Sequence, residues 1–135
     1  MNPFFIDTSG WIAVFDKSDQ NHPVAFPFWS QAAGRIGTLY TSDYVLDETL
    51  TLLNVRISHV AAVEFGRIIL ASKVINIIPI TTSRWDGAWE LFKRYNDKDF
   101  SFTDCTSFLI MRELNLGEVF TFDKHFQQIG FTMIP

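Results

Sequence analysis

The chain has 135 residues, of which 47% are hydrophobic and 16% are aromatic. This composition suits a single domain spanning residues 1–135 with its own core, and it is too apolar for a disordered protein. The formal net charge of −4 argues against a simple nucleic-acid-binding module, because such modules are usually basic.

Cysteine usage and hydropathy bear on the cellular compartment. The single cysteine, Cys105, allows no internal disulfide, and zinc-binding Cys/His spacings are absent. The N-terminus lacks the basic segment of a signal peptide, and Asp7 interrupts its short apolar run. The longest apolar region, 55–80, contains four charged residues, whereas a membrane-spanning helix needs about 20 mostly apolar residues in a row. We therefore expect a cytoplasmic protein without a membrane span.

Short apolar runs alternate with amphipathic helical stretches, the pattern of an α/β fold in which helices cover a parallel sheet. The predicted strands are Pro3–Ile6, Gly37–Tyr40, Val74–Pro79, Glu118–Phe122 and Phe131–Ile134. The predicted helices are Ser9–Phe15, Pro23–Arg35, Asp43–Arg56, His59–Ala71, Ser83–Tyr95 and Phe102–Asn115, with a short helical turn after Asp123.

Local signals predict how individual helices begin and end. Ser83 and Asp86 form a capping-box pattern at the start of a helix whose apolar stripe begins at Trp85. Pro27 lies inside the second predicted helix, which should therefore begin late or be kinked. Gly117 follows the last long helix and suits a left-handed C-terminal stop.

Two aspartates directly follow predicted strands. Asp7 comes after Pro3–Ile6, and Asp123 comes after Glu118–Phe122. In open α/β sheets the carboxyl ends of the strands carry the ligand site, where the strand order reverses. The alternative is that each aspartate only caps the helix that follows it, since Asp is a favoured N-cap.

Two further acids lie on apolar helix faces. Glu48 shares a face with Val45, Leu52 and Val55, and a carboxylate there is costly to bury unless it is paired or binds a metal. The alternative is that Glu48 lies at the edge of this stripe and reaches water. Asp104 shares a face with apolar residues of its own helix, yet the run from Ser101 to Asp104 also fits a capping box.

Four motifs, taken in order, carry a family resemblance. They are Phe-Phe-Ile-Asp7-Thr-Ser, Tyr-Val-Leu-Asp-Glu48-Thr, Asp99-Phe-Ser-Phe-Thr-Asp104 and Phe-Thr-Phe-Asp123-Lys-His-Phe. Their order and spacing resemble the PIN-domain nucleases, and most of all the VapC-type ribonuclease toxins of prokaryotic toxin–antitoxin pairs. The resemblance covers Pro3 to Ile134. It implies a three-layer sandwich in which helices flank a five-stranded parallel sheet with strand order 3-2-1-4-5.

The same resemblance implies a Mg²⁺- or Mn²⁺-dependent endoribonuclease. Hard divalent cations prefer oxygen ligands, activate water and neutralise the charge that grows on a phosphodiester under attack. We expect Asp7 and Asp104 to contribute most to the principal ion, Glu48 to complete it or orient the attacking water, and Asp123 to support a second ion. The implied metal-binding and catalytic acids are Asp7, Glu48, Asp104 and Asp123, and the implied orienting hydroxyls are those of Thr8, Ser9, Ser101 and Thr121. The implied partners are RNA, a cognate antitoxin and a second copy of the chain.

Residues that contact the substrate are harder to select. Lys17, Lys98 and Lys124 lie near the motifs and are candidates for phosphate contacts, while Phe100 and Trp11 are candidates for stacking on unpaired bases. The alternative is that these residues are solvated charges and core aromatics. None of the three histidines, His22, His59 and His125, has a spacing that suggests catalysis, so none is assigned a role.

Two other functions compete with the nuclease. An Asp-based phosphoryl-transfer domain would use Asp7 as a nucleophile, but receiver domains usually need an early acidic pair, and haloacid-dehalogenase-like phosphatases usually need Asp-x-Asp. Here Thr8 and Ser9 follow Asp7. The second alternative is a catalytically inactive PIN-like interaction domain, which would show no metal-dependent loss of RNA.

Overall fold

A computed structural model describes residues 2–34 and 39–135. The strands are β1 (Phe4–Ile6), β2 (Leu39–Ser42), β3 (Ile75–Ile78), β4 (Glu118–Phe120) and β5 (Thr132–Ile134). The helices are α1 (Thr8–Phe15), α2 (His22–Ala32), α3 (Asp43–Arg56), α4 (His59–Ala71), α5 (Thr82–Arg94), α6 (Phe102–Glu113) and α7 (His125–Gln128). The predicted end of the second helix at Arg35 and the predicted start of the second strand at Gly37 lie outside the described residues.

The five strands form one parallel sheet in the order β3-β2-β1-β4-β5. The predicted five-stranded sheet flanked by helices, with strand order 3-2-1-4-5, is confirmed. Successive strands run outward from β1 on one side and from β4 on the other, so the order reverses between β1 and β4. Loops that leave these two strands diverge at their carboxyl ends, which opens a crevice there.

The centre of the sheet is buried on both faces. Phe4, Phe5 and Ile6 of β1 are completely inaccessible to solvent, as are Val119 and Phe120 of β4. This burial explains why both strands appear in the sequence as continuous apolar runs rather than as alternating patterns. The ends of these two strands are therefore held rigidly.

Gly10 allows α1 to lie directly against the end of β4. A Cβ atom built at this position would lie 2.5 Å from the backbone oxygen of Phe120, closer than any real side chain approaches. The Asp7 N–H donates to the same Phe120 oxygen at 3.1 Å. Residues 7–10 are thus fixed against the carboxyl end of β4.

The structure corrects two predicted helix boundaries. The N-cap of α5 is Thr81, whose hydroxyl accepts a hydrogen bond from the Arg84 N–H at 3.3 Å, so the capping box predicted at Ser83 and Asp86 is wrong. Helix α6 ends at Glu113, and Asn115 just beyond it takes the left-handed conformation at φ 55°, so the stop assigned to Gly117 is also wrong. Asparagine tolerates this conformation, and the stop needs no glycine.

Helix α2 begins at His22 rather than late, even though Pro27 lies inside it. Pro23 occupies the first turn, where a missing N–H costs nothing. No helix in the ranges 2–34 and 39–135 is long and apolar enough to cross a membrane.

Helix α5 presents aromatic rings to solvent. Ala88 and Leu91 form its buried side, whereas Trp85, Trp89 and Phe92 are 40–42% exposed. The rings of Trp85 and Trp89 stack at 6.0 Å, and those of Trp89 and Phe92 stack at 6.1 Å. We call these three residues the α5 aromatic face; the predicted apolar stripe is therefore largely a surface feature.

Candidate active site

A cavity of about 340 Å³ opens at the carboxyl ends of β1 and β4. All four predicted acids line it, although they come from four distant parts of the chain. The complete lining is Asp7, Thr8, Ser9, Ile12, Asp19, Asn21, Glu48, Leu52, Arg56, Asp99, Ser101, Asp104, Asp123 and His125.

Asp7 lies at the N-cap position of α1, but its side chain makes no capping hydrogen bond. The alternative that Asp7 only caps a helix is therefore wrong. Instead, the Thr121 hydroxyl donates to Asp7 Oδ2 at 3.0 Å, and the Ser9 and Thr121 hydroxyls lie 2.9 Å apart. Ser9 Oγ accepts from the Phe122 N–H at 2.9 Å, and Thr121 Oγ1 accepts from the Asp123 N–H at 3.0 Å. Two hydroxyls, that of Ser9 in α1 and that of Thr121 after β4, thus orient the Asp7 carboxylate.

The charge on Asp7 is poorly compensated. Burial raises the pKa of Asp7 from 3.8 to about 7, with further increases from the neighbouring charges of Asp104 and Glu48. Hydrogen bonds from the Thr8 backbone and the Thr121 side chain act in the opposite direction and do not cancel the effect. A bound cation would restore the charged form of Asp7, because an opposite charge nearby lowers the pKa of a carboxyl group.

Asp104 has both a local and a long-range role. Its carboxylate accepts a hydrogen bond from the Ser101 N–H at 3.1 Å while its own N–H donates to Ser101 Oγ at 2.9 Å, so the capping box is real. Asp104 Oδ2 also lies 2.9 Å from His125 Nδ1. Burial raises the pKa of Asp104, although the Ser101 N–H and His125 counteract the rise. Capping and a place in the cavity are therefore compatible.

His125 joins two of the acids, and sequence reasoning missed it. The imidazole Nδ1 atom lies 2.9 Å from Asp104 Oδ2 and 3.3 Å from Asp123 Oδ1. The backbone N–H of His125 also donates to Asp123 Oδ1, at 2.9 Å. The ring of Phe100 packs edge-on against the imidazole at 5.3 Å. Within the described ranges, one group of three residues brings potential metal-ligand atoms within 4.8 Å of one another, and it consists of Asp104, Asp123 and His125.

Glu48 lines the cavity from α3 and is half-buried. The apolar stripe predicted around it is wrong in part, because Val55 is 76% exposed, whereas the buried residues of α3 are Val45, Thr49 and Leu53. Glu48 thus lies beside the core-facing stripe, at the edge that faces the cavity. Its charge contributes to the raised pKa of Asp7, which places it near that carboxylate.

Two of the predicted hydroxyls differ in what they contact. Ser101 uses its hydroxyl to cap α6, as described above. Thr8 Oγ1 is buried and has no hydrogen-bond partner among the described residues, and Thr8 lines the cavity. A buried hydroxyl without a partner is unusual in a folded protein, so the Thr8 hydroxyl is available to a ligand in the cavity.

Comparison with known proteins assigns the chain to a family. The model of the PIN domain matches residues 4–132. The chain belongs to the PIN-domain family. It is 37% identical to the 23S rRNA-specific endonuclease VapC20 of Mycobacterium tuberculosis, over 96% of both chains. It is 32% identical to a VapC ribonuclease of Archaeoglobus fulgidus, over 90% of this chain and 77% of the relative. The resemblance inferred from the four motifs is confirmed.

Solved structures agree with the family assignment. The crystal structure of M. tuberculosis VapC20, described as a sarcin–ricin loop cleaving toxin, matches with a TM-score of 0.87 at 35% identity and covers 96% of both chains. The structure of VapBC2 from Rickettsia felis bound to a promoter DNA fragment matches with a TM-score of 0.71 at 13% identity, covering 97% of this chain and 96% of the other. The second match shows a shared fold alone.

The structure shows where the candidate substrate-contact residues lie. Phe100 and Trp11 are buried, so the alternative that they are core aromatics is confirmed and they are no longer candidates for stacking on RNA bases. Lys17, Lys98 and Lys124 are exposed, but none of them lines the cavity.

Proposed function

We propose that this PIN-domain protein is a Mg²⁺- or Mn²⁺-dependent endoribonuclease that hydrolyses RNA phosphodiester bonds. The observation that carries the proposal is the meeting of Asp7, Glu48, Asp104 and Asp123 in one cavity at the reversal point of the sheet. The named activities of the two VapC relatives, an endonuclease and a ribonuclease, support the same function over most of the chain.

The chemistry of the cavity fits a hard divalent cation. Asp7 is a buried carboxyl group whose pKa is raised to about 7, so a cation beside it would be favoured. Thr8 adds a buried oxygen without a partner among the described residues. Carboxylate and hydroxyl oxygens are suitable ligands for Mg²⁺. We expect Asp7 and Asp104 to hold the principal ion, with Glu48 close by.

A second ion would be held on the other side of the cavity. Asp104 and Asp123 lie there together with His125. Their carboxylate oxygens are the ligands that Mg²⁺ and Mn²⁺ prefer, whereas an imidazole nitrogen suits Zn²⁺, Cu²⁺ or Ni²⁺ better. When bound, divalent ions supply an activated water and neutralise negative charge on the phosphate.

The chain's own residues orient the reacting groups. Ser9 and Thr121 hold the Asp7 carboxylate in a fixed direction, and His125 does the same for Asp104. Glu48 is half-buried at the wall of the cavity, and we assign it the task of orienting the attacking water and accepting its proton. Fixed carboxylates lower the cost of reorganisation during the reaction.

Ribosomal RNA is the first substrate to test. VapC20, which acts on 23S rRNA, is similar over nearly the whole of both chains. We therefore propose that this protein acts on structured RNA and is the toxin of a type II toxin–antitoxin pair.

We propose that an antitoxin binds the groove between α3 and α4. Leu50, Val63, Ala62 and His59 line a cavity of about 360 Å³ there. Val55 and Val60 extend the exposed apolar surface beside it, each being 76% exposed. Apolar surface of this kind marks protein interaction sites.

We propose that a second copy of the chain binds the α5 aromatic face. Trp85, Trp89 and Phe92 are each 40–42% exposed there. Aromatic residues are enriched at protein interfaces, and two copies of α5 packed together would bury these rings. In analytical ultracentrifugation the wild type should sediment as a dimer and Trp89→Glu as a monomer. Val60→Glu, on the α3–α4 surface, should leave the dimer intact.

The activity is tested with total RNA and with purified ribosomes. The wild type should cleave RNA with Mg²⁺ or Mn²⁺, lose activity in EDTA, and yield discrete mapped ends, whereas Asp7→Asn should be inactive. Intact RNA under every metal condition, with no change of melting temperature in EDTA, would instead support the inactive interaction domain. Mg²⁺-dependent modification of Asp7 by beryllofluoride would support phosphoryl transfer.

A further inference from the structure

Arg56 introduces a positive charge into a cavity wall that is otherwise acidic. It is the last residue of α3, and among the described residues that line the cavity it is the one Lys or Arg. Six acids share the lining with it: Asp7, Asp19, Glu48, Asp99, Asp104 and Asp123. An RNA strand that enters this cavity meets repulsion from the acids and attraction from this guanidinium.

The ion pair that holds Arg56 is weak. Its Nη1 atom lies 3.5 Å from Asp19 Oδ2, and the Arg56 side chain is 47% exposed. The surface pair of Arg67 with Glu64 is shorter, at 2.7 Å. Within the described ranges, the guanidinium of Arg56 makes no hydrogen bond that meets ordinary geometry, so most of its five donors are available to a ligand.

Arg56 also borders a second depression. This depression has a volume of about 490 Å³ and is lined by Phe15, Asp16, Lys17, Ser18, Arg56, Ile57 and Ala61. Arg56 therefore stands between the acidic cavity and a surface that carries the exposed Lys17. A polyanion leaving the cavity in this direction passes one cation and then the other.

We propose that Arg56 binds a phosphate of the RNA next to the bond that is cut, and that the strand continues past it towards Lys17. The inference rests on the proposed ribonuclease function. Arginine suits the task because its planar donors match the oxygens of a phosphate, and because it stays charged at every physiological pH. Asp19 pairs only weakly with the guanidinium at the rim, so a phosphate can take its place.

The test compares Arg56→Ala with Arg67→Ala, since both variants remove one arginine from a helix and from an ion pair with an acid. Binding of a labelled RNA is measured by fluorescence anisotropy over a range of salt concentrations, in the Asp7→Asn background with Mg²⁺ present. Arg56→Ala should weaken binding about tenfold and reduce the slope of log Kd against log salt by about 0.7, the value for one lost phosphate contact with a single strand. Arg67→Ala should change neither quantity. Equal binding and equal slopes for the two variants would overturn the proposal.

Further variants separate a role in binding from a role in folding. Arg56→Lys keeps the charge and should recover part of the affinity, and Lys17→Ala should give a smaller loss than Arg56→Ala. Asp19→Asn breaks the ion pair but leaves the guanidinium in place, so it should bind RNA at least as tightly as the wild type. If Asp19→Asn loses affinity to the same degree as Arg56→Ala, the pair is structural and the proposal fails.

Steady-state cleavage distinguishes this inference from the proposed function. In an active wild-type background, Arg56→Ala should raise KM with kcat changed by less than about threefold, the pattern of a lost binding contact. If the wild type cleaves RNA and Arg56→Ala matches Arg67→Ala in KM, only the role of Arg56 is refuted. If the wild type cleaves no RNA with any metal, the proposed function fails, and the anisotropy comparison still decides whether Arg56 binds RNA.

Discussion

The two sides of the acidic cavity compensate their charges in different ways. On one side, Asp7 is oriented by the hydroxyls of Ser9 and Thr121. On the other side, Asp104 and Asp123 are joined by the imidazole of His125. A hydroxyl offers a hydrogen bond without a charge, whereas an imidazole can also carry a positive charge.

This difference indicates which acid would gain most from the proposed metal. Asp7 has only neutral donors around it, and its pKa is raised to about 7 by burial and by the charge of Asp104. The Asp104 carboxylate caps α6 and lies beside His125, so it has hydrogen-bond partners even when no metal is bound. We therefore expect the Asp7 side to destabilise the folded protein most when no cation is bound and to be stabilised most when one binds.

The largest expected effect comes from substitution of the two aspartates by asparagine. Asp7→Asn and Asp104→Asn should each reduce metal-dependent RNA cleavage by about 10³-fold or more, because each removes a charged ligand. Their effects on the apo protein should differ. Asp7→Asn should raise the free energy of unfolding in EDTA by about 1–3 kcal/mol, since it removes a poorly compensated buried charge. Asp104→Asn should raise the free energy of unfolding less than Asp7→Asn does, or leave it unchanged, because it disturbs the capping box.

Urea unfolding in EDTA, together with a cleavage assay, checks this comparison. A strongly destabilised Asp7→Asn would mean that the Asp7 carboxylate serves the fold, and the contrast between the two sides would then be wrong.

The next largest effect concerns His125. His125→Ala should reduce cleavage by about 10- to 100-fold, as expected for a residue that orients a ligand group. His59→Ala is the matched control, because His59 is exposed on α4 outside this cavity. Cleavage rates of the two variants at saturating Mg²⁺ give the answer. If His125→Ala and His59→Ala are equally active, the imidazole contributes nothing to the site.

A smaller effect is expected on thermal stability. A ligand that binds only the folded state at 100 times its Kd stabilises that state by about 2.7 kcal/mol, so Mg²⁺ or Mn²⁺ should raise the wild-type melting temperature by several degrees. Asp7→Asn should abolish most of this increase, whereas His125→Ala should retain part of it. Differential scanning calorimetry with and without EDTA measures the shift. An undiminished shift in Asp7→Asn would place the ion on the other side of the cavity.

The last expected effect is a dependence of apo stability on pH. Because the folded-state pKa of Asp7 is raised from 3.8 to about 7, the folded protein binds this proton more tightly than the unfolded chain does. The free energy of unfolding should therefore decrease from Asp7 as pH rises from about 4 to about 7, and then level off. The difference between wild type and Asp7→Asn, measured in EDTA by urea unfolding, isolates this contribution. A difference that stays constant between pH 4 and pH 8 would contradict the raised pKa.

Much of the site follows from local rules applied to the sequence. Asp7 directly follows β1, as predicted, whereas β4 ends at Phe120, two residues before its predicted end, so Asp123 lies in the loop after the strand. The sheet order came from the family resemblance, since no local pattern determines which strands are neighbours. Asp104 was ambiguous between a cap and a site acid, and the structure gives it both roles.

The remaining features depend on contacts that no local pattern encodes. His125 meets Asp104 across 21 positions of the chain, so its spacing to Asp123 alone carried no signal. Arg56 carries no motif in the sequence, and only the fold brings the last turn of α3 beside Asp19. The helix stop moved from Gly117 to Asn115 because α6 ends two residues earlier than the sequence suggested.

The central claim is that the four acids hold a divalent cation on which RNA cleavage depends, and that Asp7 is a ligand. Anomalous diffraction from crystals soaked in Mn²⁺ tests it most directly. We expect an anomalous peak within coordination distance of Asp7 and Asp104 oxygens, about 2.0–2.2 Å, which is absent from crystals of Asp7→Asn. A peak confined to Asp123 and His125, unchanged in Asp7→Asn, would contradict it.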